Sequence, residues 1–489
     1  MGSLYAQQTT QIEIDNADTF EGDESLGKNV SRLIGNVRFR HQGAIMYCDS
    51  AYLYQETNSL DAFGKIRIVQ GDSLQLTGDF LKYDGNTRQA VVTGNVLLSD
   101  RDLLLRTPSL YYNLGTDVAD YVNGGVITSK NNKLVSKRGY YYSKERMVYF
   151  RDSVRLDNPR YFILADTLKY STATRTAFFE GPTRLHSTGS DSTVITCRKG
   201  QYNTVSEKSV FTERALVQSK ENGLTGDSLV FNNISRVGTA FGNVVVTDTL
   251  QKLLITGDYA FSDDRSKYAL VTGKAMLTRV FENDSLFLHA DTLIARQDTV
   301  SLHKSWSAFY GVRIFKTDLQ GKCDSLTYSS ADSTLSFHSA PVLWSEENQL
   351  TALFMNMQLA GSRITELRLF DDAFITSMED SVRFNQIKGR NMTGYFTDNK
   401  LTSIKVEGNG QSVYYTRNSK DQFTGVNRAD CSDMLIQIEE SKIKSITLIN
   451  DPDATLYPVN ELQPDELRLK GFEWLGSLRP ADKQDIFRR

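Results

Sequence analysis

A Gly-polar-apolar triplet returns about every 30 residues along most of this chain, and a period of that length limits the fold more than any other feature of it. The triplet reads Gly35-Asn36-Val37, Gly64-Lys65-Ile66, Gly94-Asn95-Val96, Gly124-Gly125-Val126, Gly242-Asn243-Val244 and Gly273-Lys274-Ala275. Its spacings are 29, 30, 30, 118 and 31 residues, and the long one spans four units. Degenerate copies, Asp152-Ser153-Val154 and Gly181-Pro182-Thr183, fill that gap. A second landmark, a small residue followed by Asp, keeps the same period. It reads Cys48-Asp49, Gly78-Asp79, Ala165-Asp166, Gly226-Asp227, Gly257-Asp258, Ala290-Asp291 and Cys323-Asp324. Two residues after each Asp stands Ala or Leu. Four residues after it stand Leu53, Tyr83, Tyr170, Phe231 and Tyr328 in five of the seven copies. This period-2 alternation is that of a half-buried strand.

Each repeat therefore holds two turns and two mid-strand interruptions. Ala90 to Thr93 form one arm, Gly94-Asn95 interrupt it, and Val96 to Ser99 continue it. The turn Asp100-Arg101-Asp102 leads into the return arm Leu103-Leu104-Leu105. Small residues at mid-strand permit a bulge or sharp bend. The positions read as bends are Gly35, Gly64, Gly78, Gly94, Gly226, Gly242, Gly257 and Gly273. A ladder of strands bent at one row makes an all-β, V-shaped or rolled sheet whose halves enclose the apolar side chains. About a dozen such units are expected, each adding ~10 Å, which makes an elongated repeat of antiparallel strands. Alternation turns Val37, Phe39, Ile66, Ile68, Val96 and Leu98 inward, and Arg38, Arg40, Lys65 and Arg67 outward. Residues 1–29 read as an entry segment, 30–340 as the regular repeat, 341–450 as a degenerate continuation, and 451–489 as a cap or tether. This last segment holds four of the eight Pro, with a short helix expected near Asp465 to Leu475.

Apolar residues make up 40% of the 489, enough for a core, and a charged share of 24% argues against disorder. The net charge of −3 is spread along the chain without a basic stripe, so no nucleic-acid partner is expected. No run approaches the roughly 18 apolar residues of a membrane-spanning helix. Met1-Gly2-Ser3 reads as an appended start, and Leu4-Tyr5-Ala6-Gln7 as the tail of a signal peptide whose apolar core is gone. Position 7 is Gln, so no lipid anchor follows from that reading. Cys48, Cys197, Cys323 and Cys431 lie several units apart and are expected as buried free thiols.

Little in the sequence points to catalysis. His41, His186, His289, His303 and His338 form no local metal pattern, and neither metal nor cofactor is expected. Gly71-Asp72-Ser73-Leu74 and Gly226-Asp227-Ser228-Leu229 spell a string associated with certain esterases. The copies fall at different repeat positions, however, and turn chemistry explains them better than a nucleophile does. One Asp per repeat is too sparse for a calcium solenoid, and these Asp residues are expected to satisfy backbone N–H groups at the bends. What remains is the inward apolar stripe, which serves equally well as a packed core or a lipid groove.

The repeated stretches resemble the OstA/LptA-like family of lipopolysaccharide transport proteins. The likeness rests on the Gly-Asn-Val copies at 35, 94 and 242, on Ala165-Asp166-Thr167-Leu168-Lys169-Tyr170 and on Gly78-Asp79-Phe80-Leu81-Lys82-Tyr83. It covers residues 30–330 well and extends more loosely to 410. This chain is longer than a typical member and is most similar to long OstA-like proteins of Bacteroidetes. The resemblance implies a folded β-jelly roll (a β-taco) in the periplasm of a Gram-negative cell. It implies no enzyme activity, end-to-end association with other jelly-roll modules, and lipopolysaccharide or another acyl lipid as cargo. The groove residues it would use are Phe39, Met46, Ile66, Ile68, Leu74, Leu76, Val96, Leu98, Leu224, Ile255, Leu286 and Leu288. A structural or adhesive solenoid with a closed core is the alternative, and a solenoid enzyme acting on carbohydrate is a more distant one.

Overall fold

The bends are built from two successive left-handed residues. Gly94 and Asn95 have φ of 76° and 47°, and Gly35-Asn36, Gly64-Lys65, Gly242-Asn243 and Gly273-Lys274 repeat the pair. Two such residues in a row turn the strand, and the pairing register of the long strands slips at each of these points, as at a β-bulge. The second landmark sits directly against the first. Asp79 accepts a hydrogen bond from the Asn95 side-chain amide at 2.8 Å, and Asp49 faces Lys65 at 3.3 Å. These partners are side chains, where the sequence pointed to backbone N–H groups. A Cβ on Gly94 would stand 2.5 Å from Asp79 Oδ2, so position 94 needs glycine for space as well as for φ. Gly78 and Gly257 differ from these. Their φ is ordinary, but an added Cβ would meet Val92 or Val271 within the fold at 2.4 and 2.6 Å. Gly226 is buried within the strand Asn222–Asn232.

The structure, a computed structural model, describes residues 10–22, 28–101, 103–129, 131–189, 192–361, 363–440, 442–459, 461–463 and 465–488. The start at residues 1–7, read above as a signal-peptide remnant, lies outside these. The chain divides into two units, residues 1–220 with 227–234, and residues 221–226 with 235–489. Nearly all of it is antiparallel strand.

In the first unit Val30–His41, Ala44–Tyr54, Ser59–Gln70, Leu74–Asp84, Gln89–Asp100 and Leu103–Asn113 pair in succession. Each crosses the bend once, so each has a first arm and a second arm. The next two strands are broken at the bend, into Val118–Tyr121 with Gly125–Ser129 and Asn132–Ser136 with Arg138–Tyr142. Full strands then resume from Met147–Asn158 to Lys208–Gln218. Glu13–Asn16 and Thr19–Gly22 cover the N-terminal edge.

The second unit repeats the scheme from Val237–Asp248 through Leu253–Asp263, Tyr268–Val280, Ser285–Gln297, Lys304–Lys316 and Leu319–Ser329. Longer strands follow, from Arg363–Met378 to Phe423–Glu439. Their outer face is not bare. The C-terminal segment crosses it as an extended strap, and Leu467 and Leu469 pack into Phe374, Val413, Tyr415 and Val426. Glutamine side chains act as surrogate backbone along the way, since one amide both donates and accepts. Gln386 donates to the Leu467 carbonyl and accepts from the Leu469 N–H. Gln349 does the same for Glu473 and Leu475, at 2.7 Å each way. Arg479 donates to Gln320, and Phe487 reaches His289, with ring centroids 4.6 Å apart. The helix expected near Asp465 to Leu475 is absent among the described residues, because these backbone groups pair with the sheet. Short 3₁₀ turns occur only later, at Gly476–Leu478 and Asp485–Phe487.

Two outcomes follow from this geometry. Gly94→Ala should cost about 1–3 kcal/mol in urea unfolding, and a loss below about 0.5 kcal/mol would mean that the bend tolerates a side chain. Gln349→Leu leaves a carbonyl and an N–H unpaired under the strap, a cost of about 2 kcal/mol or more. Limited proteolysis should then release the segment beyond residue 464 faster than in the parent protein.

Candidate functional site

The inward row is the one extended surface that the fold sets apart. In the first unit it is closed as far as Ile163, and beyond that the inward Leu185, Ile195 and Val217 are half-buried. Phe39, Ile68, Leu76 and Leu98 are 0% exposed, and Met46, Ile66, Leu74 and Val96 are buried beside them. In the second unit it is looser. Leu288 is buried, but Leu224, Ile255 and Leu286 are only half-buried, as are Val246, Leu253 and Leu277.

The difference lies at the free edges of the two arms. In the first unit three inward tips of second arms, His41, Gln70 and Asp100, are polar and bond across to a tyrosine on a first arm. His41 Nε2 donates to the Thr10 carbonyl at 2.8 Å, which leaves Nδ1 to accept from the Tyr83 hydroxyl at 2.6 Å. Tyr112 donates to Gln70 Oε1 at 2.8 Å, while the Gln70 amide donates to Asp117 at 2.7 Å. Tyr141 and Ser143 donate to Asp100 Oδ2 at 2.6 and 2.8 Å. In each case the tyrosine lies three strands beyond its partner. The Asn132 amide reaches the Tyr170 hydroxyl at 3.4 Å, Tyr161 packs edge-on against Tyr202 at 4.8 Å, and Arg160 pairs with Glu207. Burial raises the pKa of the Tyr83, Tyr112 and Tyr141 hydroxyls above the ordinary tyrosine value, so they remain donors. Burial by itself would raise the Asp100 carboxyl. The hydrogen bonds from Ser73, Tyr141 and Ser143 together outweigh that and hold it below its usual value.

The second unit lacks this edge chemistry where its row is loose. At the tip positions that correspond to His41, Gln70 and Asp100 stand Asp248 and Arg279. Asp248 accepts from the Gln251 N–H of its own turn, and Arg279 lies over the Phe281 ring beside it. Where the landmark tyrosine would stand are Ser262 and Ala295, both exposed. The neighbouring turns expose Leu250, Val280 and Phe281 at 69, 47 and 37%. The sequence signal for the edge was the aromatic residue four positions after four of the seven landmark Asp residues. It reads as strand alternation, and its hydroxyl gives no hint of a partner about 40 residues away.

Nothing else converges on a reaction. Ser73 donates to Asp100 at a turn, and Ser228 lies within the strand Asn222–Asn232, so the two serine strings do not share a site. Among the described residues no group of three or more His, Cys, Asp or Glu is placed to hold a metal ion. The four cysteines are free and buried, and burial pushes the Cys48 and Cys323 thiols up to about 12 and Cys197 to about 11. A hollow of about 860 Å³ on the first unit is lined by Arg155, Arg184, Arg198 and Arg214, with Asp166 and Glu213 among them. Among the described residues no helix is long and apolar enough to cross a membrane.

Residues 9–166 match the family model described as OstA-like protein. This N-terminal region is similar to that family over the matched residues. It contains the bends at Gly35, Gly64 and Gly94 and three of the tyrosine pairs at the edge. Among solved structures the chain is similar to LptH, the LptA-homologous periplasmic component of the conserved lipopolysaccharide transport device from Pseudomonas aeruginosa. That likeness has 14% identity and a TM-score of 0.21, and it covers 24% of this chain and 81% of that one. No curated protein matches the chain.

The Asp100 cluster makes a pH prediction. Its carboxyl is depressed in the folded state, so its stabilisation is present above the ordinary value of 3.8 and is lost as pH falls through the lower folded value. Thermal melts should therefore show a component that drains below about pH 4. Asp100→Asn should remove that component, and an unchanged acid profile would mean that the cluster contributes nothing.

Proposed function

We propose that this chain binds the acyl chains of lipopolysaccharide along the inward row of its folded sheet and helps carry that lipid across the periplasm to the outer membrane. The observation that carries the reading is the half-buried apolar row Val246, Leu253, Ile255, Leu277 and Leu286. Apolar side chains left partly open between two arms offer an acyl chain the environment that water denies it, at ~0.8 kcal/mol per CH₂. The OstA-like region supports the family of cargo. In the first unit Phe39, Met46, Ile66, Ile68, Leu74, Leu76, Val96 and Leu98 form an inward row of the same pattern, which would bind acyl chains when opened. Leu224 and Leu288 belong to the same path. No chemical step is required of the protein, since sliding between equivalent apolar rungs is nearly isoenergetic. The drive comes from outside the chain, through end-to-end association with related jelly-roll modules.

A specific observation favours a second reading for part of the molecule. The first unit has its inward row packed from Leu33 to Ile163, which suits a closed structural solenoid.

Site-specific photocrosslinking in cells that make lipopolysaccharide separates the two. A photoreactive residue at 255 or 286 should give lipid adducts, and outward positions 67 and 82 should give none. Adducts at neither inward position, in a folded protein, would sink the lipid reading and leave the structural one.

A further inference from the structure

We propose that a tyrosine at the inward edge position held by Tyr83, Tyr112 and Tyr141 is a latch that closes the two arms, and that its loss at Ser262 and Ala295 makes residues 253–295 a port into the interior. Tyr83, Tyr112 and Tyr141 each bond a polar tip of the opposite arm and the row beneath them is sealed, whereas Tyr202 packs on Tyr161 without such a tip and Ile195 beneath it is half-buried. Tyr112 and Tyr141 hold the position through their place in the strand, although no small-residue–Asp pair precedes them. Where Ser262 and Ala295 stand instead, the row beneath is half-buried. The rim follows the same division. The second-arm turns of the first unit carry Gln42-Gly43 and Gly71-Asp72-Ser73, whereas those beside the port expose Leu250, Val280 and Phe281.

Register makes the port closable. Tyr141 lies three strands beyond Asp100, and Ala295 lies three strands beyond Asp248. A tyrosine at 295 would therefore face a carboxylate as Tyr141 faces Asp100. The port is thus a section of the ladder from which one half of each latch is missing. It deepens the lipid reading by assigning the place of entry, but the latch itself does not depend on what enters.

Thiol labelling tests the gate without any lipid. The native cysteines are buried and serve as the unreactive background. Reporter thiols are introduced singly by Ile255→Cys, under the port, and by Leu76→Cys, under the latches. Maleimide labelling is then followed by peptide mass spectrometry. The Ile255→Cys thiol should label about a hundredfold faster than the Leu76→Cys thiol, since only the second waits for local opening. Adding Ala295→Tyr should slow the first about tenfold, and adding Tyr83→Phe with Tyr112→Phe should speed the second about tenfold, with Cys323 unchanged throughout. Equal rates at the two reporters, no response to the tyrosine changes, or a parallel rise at Cys323 that marks general loosening would each overturn the proposal. Lipopolysaccharide micelles added at the end separate the two readings. Protection of the Ile255→Cys thiol supports lipid entry at the port. An intact gate without protection removes the lipid reading and leaves the latch.

Discussion

Everything in this fold depends on the strands bending at the same row. Two left-handed residues at mid-strand, set against an Asp of the neighbouring strand, cost backbone strain that an isolated strand would not accept. The neighbours make it acceptable. Asp79 holds Asn95, Asp49 faces Lys65, and Asp258 packs on Gly273, so each bend is fixed by the strand before it. Once the bends align, the two arms of every strand must face each other, and the alternation of side chains then decides what lies between them. The non-glycine pairs Asp152-Ser153, Glu213-Arg214 and Asp371-Asp372 adopt the same left-handed turn. The ladder thus carries bends that glycine is not there to ease.

Facing arms leave a long free edge, and the two units treat it differently. In the first, polar tips and tyrosines tie the edge at intervals of about 30 residues, which is the sequence period expressed as a row of hydrogen bonds. In the second, the edge opens where the tyrosines lapse, while the strap braces the sheet from outside. The strap gives a physical reason for the buried Gln320, Gln349 and Gln386 on an otherwise outward face. Gln349 and Gln386 are satisfied by backbone that arrives from more than 80 residues away, and Gln320 accepts from the Arg479 side chain.

These particulars show what a single sequence can and cannot reveal. The bends and the inward row were legible, because glycine spacing and period-2 alternation are local signals with one physical meaning each. The first groove candidates, from Phe39 to Leu98, are inward and buried, but alternation could not show that Ile255 and Leu286 would be half-open, since openness depends on the opposite arm. The latch was visible only as a recurrent aromatic residue. Its function needed the three-strand offset, which comes from how the two arms meet. The helix anticipated near Asp465 to Leu475 failed for a related reason. Its backbone partners are glutamines distant in sequence, and long-range pairing overrode local preference.

The strengths of these interactions bear on how a sealed row could serve as a path. One latch hydrogen bond contributes a net ~0.5–1.5 kcal/mol, somewhat more where a carboxylate accepts, as at Asp100. Ten CH₂ groups leaving water gain ~8 kcal/mol. Under the lipid reading, burying an acyl chain would therefore gain more than one latch bond costs to open, provided that rungs open singly. Opening all of them at once would forfeit the packing of every layer between the arms. The ladder has the form that single opening requires. The ties His41–Tyr83, Gln70–Tyr112 and Asp100–Tyr141 each join strands three apart. A closed row and a conducting row then differ by the position of one open section rather than by two separate folds.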